Sequence, residues 1–159
     1  MHKNSGFSLL ELIIVISLIA IVTAITIPNV LGWLPDYRMK SAASDLMSNF
    51  QKTKITAIKR NTDCTATFNA NGYDVYIDAD GDWTYDAGET LIFQVSLTEY
   101  KGVTIDTSQG GGDGISFTNN ATAFRPNGIP TNAGTIFFVN TNNNTTSVVV
   151  STAGNVRID

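Results

Sequence analysis

Apolar and polar positions follow three successive patterns along this chain. From Phe7 to Ile27 the residues are apolar almost without a break, FSLLELIIVISLIAIVTAITI, and the one charge among them is Glu11. A helix of 21 residues, counted from 7 to 27, is long enough to cross a hydrocarbon core of about 30 Å. After Pro28 the run becomes amphipathic. Met39, Ala42, Ala43, Leu46, Met47, Phe50, Ala57 and Ile58 recur at helical spacing, with Arg38, Lys40, Asp45, Gln51, Lys52 and Lys59 between them. Pro28, Gly32 and Pro35 separate the two patterns and predict a kink or a locally melted stretch. Asn61 is the expected helix terminator, because Asn tolerates the left-handed conformation at a C-terminus.

Beyond Asn61 the period shortens to two. CTATFN and YDVYID flank Asn71-Gly72, a strong hairpin signal. LIFQVSL, VTID, GISF, TAFRP, GTIFFVN, SVVVS and NVRID follow as strands, separated by GGGDG, PNGIP, TNNN and TAGN. The pattern therefore predicts an α+β fold. A long helix, transmembrane in its first half (7–28) and amphipathic in its second (29–60), packs that second half on an antiparallel β domain (61–159) of one sheet or two small ones. If continuous, a helix over 7–60 would run about 80 Å.

Composition changes this picture little. The net charge of −4 over 159 residues argues against a nucleic-acid-binding surface. Lys52, Lys54, Lys59 and Arg60 read as the solvated face of a helix. The single cysteine, Cys64, allows no intrachain disulfide and sits in an alternating strand as a small apolar residue. The one histidine is His2, so cysteine–histidine catalysis is excluded and the sequence offers nothing for an enzyme or a small-molecule substrate.

Glu11 is costly where it stands: a carboxylate at the centre of a membrane helix costs roughly 2.5–3.5 kcal/mol, less near an end. No small-residue secretory cleavage site follows the apolar run. Gly6-Phe7, directly before it, is the alternative. Cutting there removes a leader over residues 1–6, MHKNSG, and leaves a free amine on Phe7. That amine, on the same chain or a neighbour, is a counter-charge for Glu11 in a medium where water does not screen.

Short basic leader, Gly6, Phe7, the apolar run with Glu11 and then Pro28: this arrangement resembles the signal of type IV pilins and pseudopilins. The resemblance implies a pilin-like fold, cleavage after Gly6 by a prepilin peptidase and N-methylation of Phe7. It also implies that the helices assemble into a filament core with other pilin or pseudopilin subunits, Phe7 and Glu11 making the contact. Before assembly the chain would be a single-pass protein of the bacterial inner membrane, its C-terminal domain on the periplasmic or extracellular side.

A second stretch carries chemistry. DADGDWTYDAGE, residues 78–89, places Asp78, Asp80, Asp82, Asp86 and Glu89 at positions one, three, five, nine and twelve of a loop, with Thr84 at position seven. That is the ligand spacing of an EF-hand loop, and an all-oxygen set suits a structural Ca²⁺ ion. Position six, ordinarily glycine, is Trp83. A solvated acidic hairpin turn is the competing reading.

This loop, the apolar LIFQV after it, the GISF and FRPNG features and the glycine-led last strand are together similar to the GspH/FimT-type minor pseudopilins. The resemblance implies a structural subunit of a type IV pilus or a type II secretion pseudopilus. The alternative it leaves open is a minor pilin that binds DNA, a secreted substrate or a surface. DNA-uptake members use basic residues near this C-terminus, where the present chain keeps only Arg157, beside Asp159.

Overall fold

The computed structural model describes residues 7–159; Gly6 and the rest of the leader lie outside the described residues. The chain divides into two compact units at Leu34/Pro35, and each is described by itself. One helix, α1, runs Leu9–Arg60. No melted stretch, one of the two outcomes the sequence allows, interrupts it at Pro28, Gly32 or Pro35. Each proline removes one N–H donor but keeps a helix-compatible φ, so the ladder loses single bonds rather than a turn.

In the first unit α1 is apolar on every side and exposed on every side, from Leu9 through Trp33. Ser17, Thr23 and Thr26 turn their hydroxyls back onto the carbonyls of Ile13, Ile19 and Val22, at 2.7, 2.6 and 2.8 Å, so these polar groups need no outside partner. A helix of this kind is built for lipid or for the interior of an assembly.

The second unit opens with the amphipathic part of α1. Its buried stripe is Met39, Ala42, Ala43, Leu46, Phe50, Thr53 and Ala57; Met47 and Ile58, expected in it from their spacing, fall at its margins, Met47 half-buried and Ile58 48 % exposed. The helix ends as the sequence predicts. Asn61 takes φ 52 and Thr62 N donates to Ala57 O at 3.3 Å, a Schellman closure of the last turn. The strands are β1 Cys64–Asn69, β2 Gly72–Ile77, β3 Thr90–Ser96, β4 Val103–Ile105, β5 Ala121–Phe124, β6 Gly134–Asn140, β7 Thr145–Val150 and β8 Val156–Ile158. They form two antiparallel four-stranded sheets, ordered β3-β2-β1-β5 and β4-β6-β7-β8.

Phe50 joins the layers. Its ring centroid lies 5.8 Å from Phe68, 6.2 Å from Phe117 and 6.0 Å from Phe124. GISF, predicted as a strand, makes only one bridge, Ile115 to Ile136. Phe117 leaves the sheet line to stack on Phe68 at 5.7 Å, over Gly134, where a Cβ would meet its ring at 2.4 Å. TAFRP also shortens. β5 stops at Phe124, and Arg125 begins a turn closed by Gly128 N to Arg125 O at 2.8 Å.

Polar groups along the helix are tied to the β domain. Tyr100 donates to Asp45 Oδ2 at 2.5 Å and Asn49 Nδ2 donates to Tyr73 Oη at 2.7 Å. Desolvation pushes the Tyr73 phenol up to about 12, more than the Asn49 bond lowers it. Both phenols stay protonated donors or acceptors at neutral pH.

Candidate functional site

The assembly segment begins at Phe7, the first described residue, which is 81 % exposed. Glu11 lies in the first turn of α1, where the unsatisfied N–H groups favour a negative charge. Among the described residues no cation pairs with it. Its partner in the reading from sequence is the amine created at Phe7, or a neighbour's amine. The Gly6–Phe7 junction itself falls partly outside the described residues.

The acidic loop takes a definite shape. Carboxylate oxygens of Asp78, Asp80 and Asp82 all lie within 4.8 Å of one another. Asp78 is buried, 3 % exposed, and accepts three hydrogen bonds. Its Oδ2 accepts from Thr65 Oγ1 at 2.8 Å and Trp83 N at 3.2 Å, its Oδ1 from Gly81 N at 2.7 Å. Asp82 N donates to Asp80 Oδ1 at 3.3 Å and Thr84 N to Asp82 Oδ1 at 2.7 Å, so each side chain folds the backbone two residues ahead. Trp83 adopts φ 66, the left-handed conformation that position six of such a loop demands and that glycine adopts without strain.

The other three predicted ligands are placed differently. Glu89 closes the loop through backbone donors, Ala79 N on Oε1 at 2.9 Å and Asp86 N on Oε2 at 3.1 Å. Asp86 and Thr84 are exposed, and Thr84 N is taken up by Asp82. The structure thus gathers Asp78, Asp80 and Asp82 into one cluster. It uses Glu89 as the clasp between the loop's two ends. An oxygen-only cluster of this charge fits a hard divalent cation, with Asp78, Asp80 and Asp82 as the carboxylates that would hold it.

Support from β1 and β2 is what sequence reading missed. Thr65 and Thr67 alternate on β1, opposite Tyr76 and Asp74 on β2. Thr67 Oγ1 donates to Trp83 O at 3.2 Å and shares a 3.0 Å hydrogen bond with Tyr76 Oη. The Tyr76 ring lies 5.3 Å from Tyr85. Burial, with smaller contributions from Asp78, Glu89 and Asp82, pushes the Tyr76 phenol up to about 12 against the lowering effect of Thr67. The alternation of Thr with apolar residues in CTATFN was the available signal, since period two puts both threonines on one face.

At the C-terminus Arg157 Nε bonds both oxygens of Asp159, at 3.0 and 3.1 Å. Its charge is engaged within its own strand end.

Similarity to known proteins agrees with this geometry. The sequence model of the prokaryotic N-terminal methylation motif matches residues 1–27. No individual curated protein sequence matches the chain. Among solved structures, the minor pseudopilin EpsH from the type 2 secretion system of Vibrio cholerae superposes with a TM-score of 0.56 at 15 % identity, covering 77 % of this chain and 96 % of that one. The type IV minor pilin FimU of Pseudomonas aeruginosa gives 0.59 at 13 % identity, covering 78 % and 90 %. The solution structure of Escherichia coli GspH gives 0.55 at 8 % identity, covering 79 % and 90 %. These likenesses establish the pilin-like fold. The sequence model of the Type II transport protein GspH family matches residues 42–154, most of the chain, and the protein belongs to that family.

Proposed function

We propose that this chain is a minor structural subunit of a type II secretion pseudopilus or type IV pilus that is cut between Gly6 and Phe7, methylated on Phe7 and inserted into the filament through α1. The observation that carries the reading is the first unit itself: a helix apolar all round, exposed all round, with one carboxylate in its first turn. Such a surface is stable only in lipid or against other apolar helices. The globular unit buries its own core and needs neither.

In this reading a prepilin peptidase acts at the inner membrane, and the new Phe7 amine and Glu11 of adjacent subunits neutralise one another. The pairing sets the axial register. Mass spectrometry of the mature N-terminus is the first test. A chain beginning at methylated Phe7 is expected, and one retaining Met1 overturns the reading. Glu11→Gln, which keeps shape but removes charge, should be processed normally yet enter filaments poorly. Native incorporation of Glu11→Gln would refute the ion-pair mechanism.

A structural calcium ion in the 78–89 loop is a second reading, favoured by the convergence of three carboxylates and by Trp83 at φ 66. The unfolded chain has no preformed site, so an ion bound there stabilises the fold. Adding Ca²⁺ to chelator-treated protein should raise the melting temperature, and Asp80→Asn/Asp82→Asn should abolish the rise. An unchanged melting temperature rejects the ion.

A further inference from the structure

Pro28 closes the apolar run in the sequence, and that run alone puts the membrane span at 7–27, with Glu11 inside it. The helix does not stop there. α1 continues unbroken through Pro28, and apolar side chains stay exposed beyond it, Leu31 at 62 % and Trp33 at 50 %. Leu34 is the first residue of α1 that is not exposed. A span of 7–27 would therefore leave Leu31 and Trp33 in water while holding a carboxylate in hydrocarbon, each against its preference.

A later span satisfies both ends. Between Glu11 and Asp36 the chain has no charge. Glu11 and Trp33 stand 22 residues apart on one helix, about 33 Å, which fits a hydrocarbon core of about 30 Å with one of the two in each headgroup layer. The 20 residues counted from Leu12 to Leu31 then fill the core. Tryptophan favours that boundary layer, where its ring is in apolar surroundings and its N–H is wet. Inside the span, the hydroxyls of Ser17, Thr23 and Thr26 are bonded to carbonyls of their own helix. Asn29, the remaining polar side chain, lies two residues from the Leu31 end, about 3 Å along the axis, within reach of the headgroups. Tilting α1 to hold all of Leu9–Trp33, about 37 Å, would take roughly 35–40° and would still leave Glu11 in hydrocarbon.

We propose that the unassembled chain sits in a phospholipid bilayer with Leu12–Leu31 in the hydrocarbon, Trp33 in one headgroup layer and Glu11 in the other. The inference rests on the membrane-borne, filament-forming reading above. Glu11 then keeps its water until assembly. Withdrawal of α1 into a filament strips that water, and the Phe7 amine is needed as counter-charge at that step rather than before it. Phe7, 81 % exposed and ahead of the first residue of α1, stands on the aqueous side of Glu11, so processing there does not require entry into the core.

The test uses the full chain, purified and reconstituted at high lipid excess into vesicles of phosphatidylethanolamine and phosphatidylglycerol, with flotation to collect the bound chain. Single cysteines are placed at Leu10 and Asn29, positions that exchange environments between the two spans. The vesicles are opened by freeze–thaw in a water-soluble maleimide, and buried Cys64 is the internal blank. Leu10→Cys should label about fivefold faster than Asn29→Cys. Trp83→Phe leaves Trp33 as the only tryptophan. Lipids brominated near the headgroup should quench its emission about threefold more than lipids brominated at the chain ends. Equal or faster labelling at Asn29→Cys, or a Trp33 not quenched preferentially from the headgroup side, overturns the proposal. A chain that floats with the vesicles and gives either result refutes this span alone and leaves the filament reading standing. A chain that does not float refutes the membrane-borne state itself.

Discussion

Asn140 Nδ2 donates a 2.5 Å hydrogen bond to Asp36 Oδ1 across 104 residues of sequence, and Asn144 Nδ2 adds a second to the same oxygen at 2.7 Å. Asn140 Oδ1 in turn accepts from Asn142 N and Asn144 N, at 2.9 and 3.0 Å, so one buried amide shapes the β6–β7 turn and grips the helix. Asp36 is the second residue of the globular unit. The clamp fixes where the amphipathic helix begins against the sheet.

The two amide bonds, Asn144 first and Asn140 second, hold the Asp36 carboxyl below its ordinary value. Asp113 is lowered likewise by Ile115 N and Asn120. A carboxylate depressed in the folded state contributes stability that is complete above the unfolded pKa, roughly 3.9, and is lost as pH falls through the folded value. Asp36→Ala should therefore lower the melting temperature at pH 7 and converge with the parent in strong acid. Parallel curves at all pH values would show that Asp36 acts without its charge.

Burial, outweighing the opposing effect of Arg60, pushes the Cys64 thiol up to about 11. At neutral pH it is protonated and inaccessible, 0 % exposed. Labelling by a thiol reagent should proceed only at the rate of unfolding and accelerate in denaturant. Fast labelling of the native protein would contradict the position of β1 under the helix.

Gly154 sits at φ 78 with no room for a side chain: a Cβ would lie 2.6 Å from Gly128 O and 3.2 Å from Pro130 Cδ. Gly154→Ala should destabilise by about 2 kcal/mol or more, from backbone strain and overpacking together. Chemical denaturation measures it. A neutral substitution would mean that the β7–β8 turn moves freely, and the Lys54–Gly154 tie with it.

Trp83 tests the acidic loop without its charges. At φ 66 glycine fits and a β-branched residue does not. Trp83→Gly should exceed Trp83→Val in stability by roughly 1–2 kcal/mol, a comparison in which the lost indole contacts cancel. Equal stabilities would place the turn elsewhere, for example at Gly81.

Local chemistry made much of this molecule legible in its sequence. A run of apolar residues, a helical stripe from Met39 to Ala57, Asn61 after the last turn and the Asn-Gly hairpin each act within a few residues. The structure has each of them where the pattern puts it. Spacing alone also gathered Asp78, Asp80 and Asp82, because ligands two residues apart on one loop meet whatever surrounds them. Which strands join which of the two sheets did not follow from strand pattern, since pairing depends on partners far away in the chain. Nor did the fate of GISF, where Phe117 finds its place only over Gly134 and beside Phe68. The clamp from Asp36 to Asn140 and the cover that Thr65 and Tyr76 receive from the acidic loop belong to tertiary structure alone. Side-chain period tells which face a residue occupies, and only packing decides what stands on the other side of it.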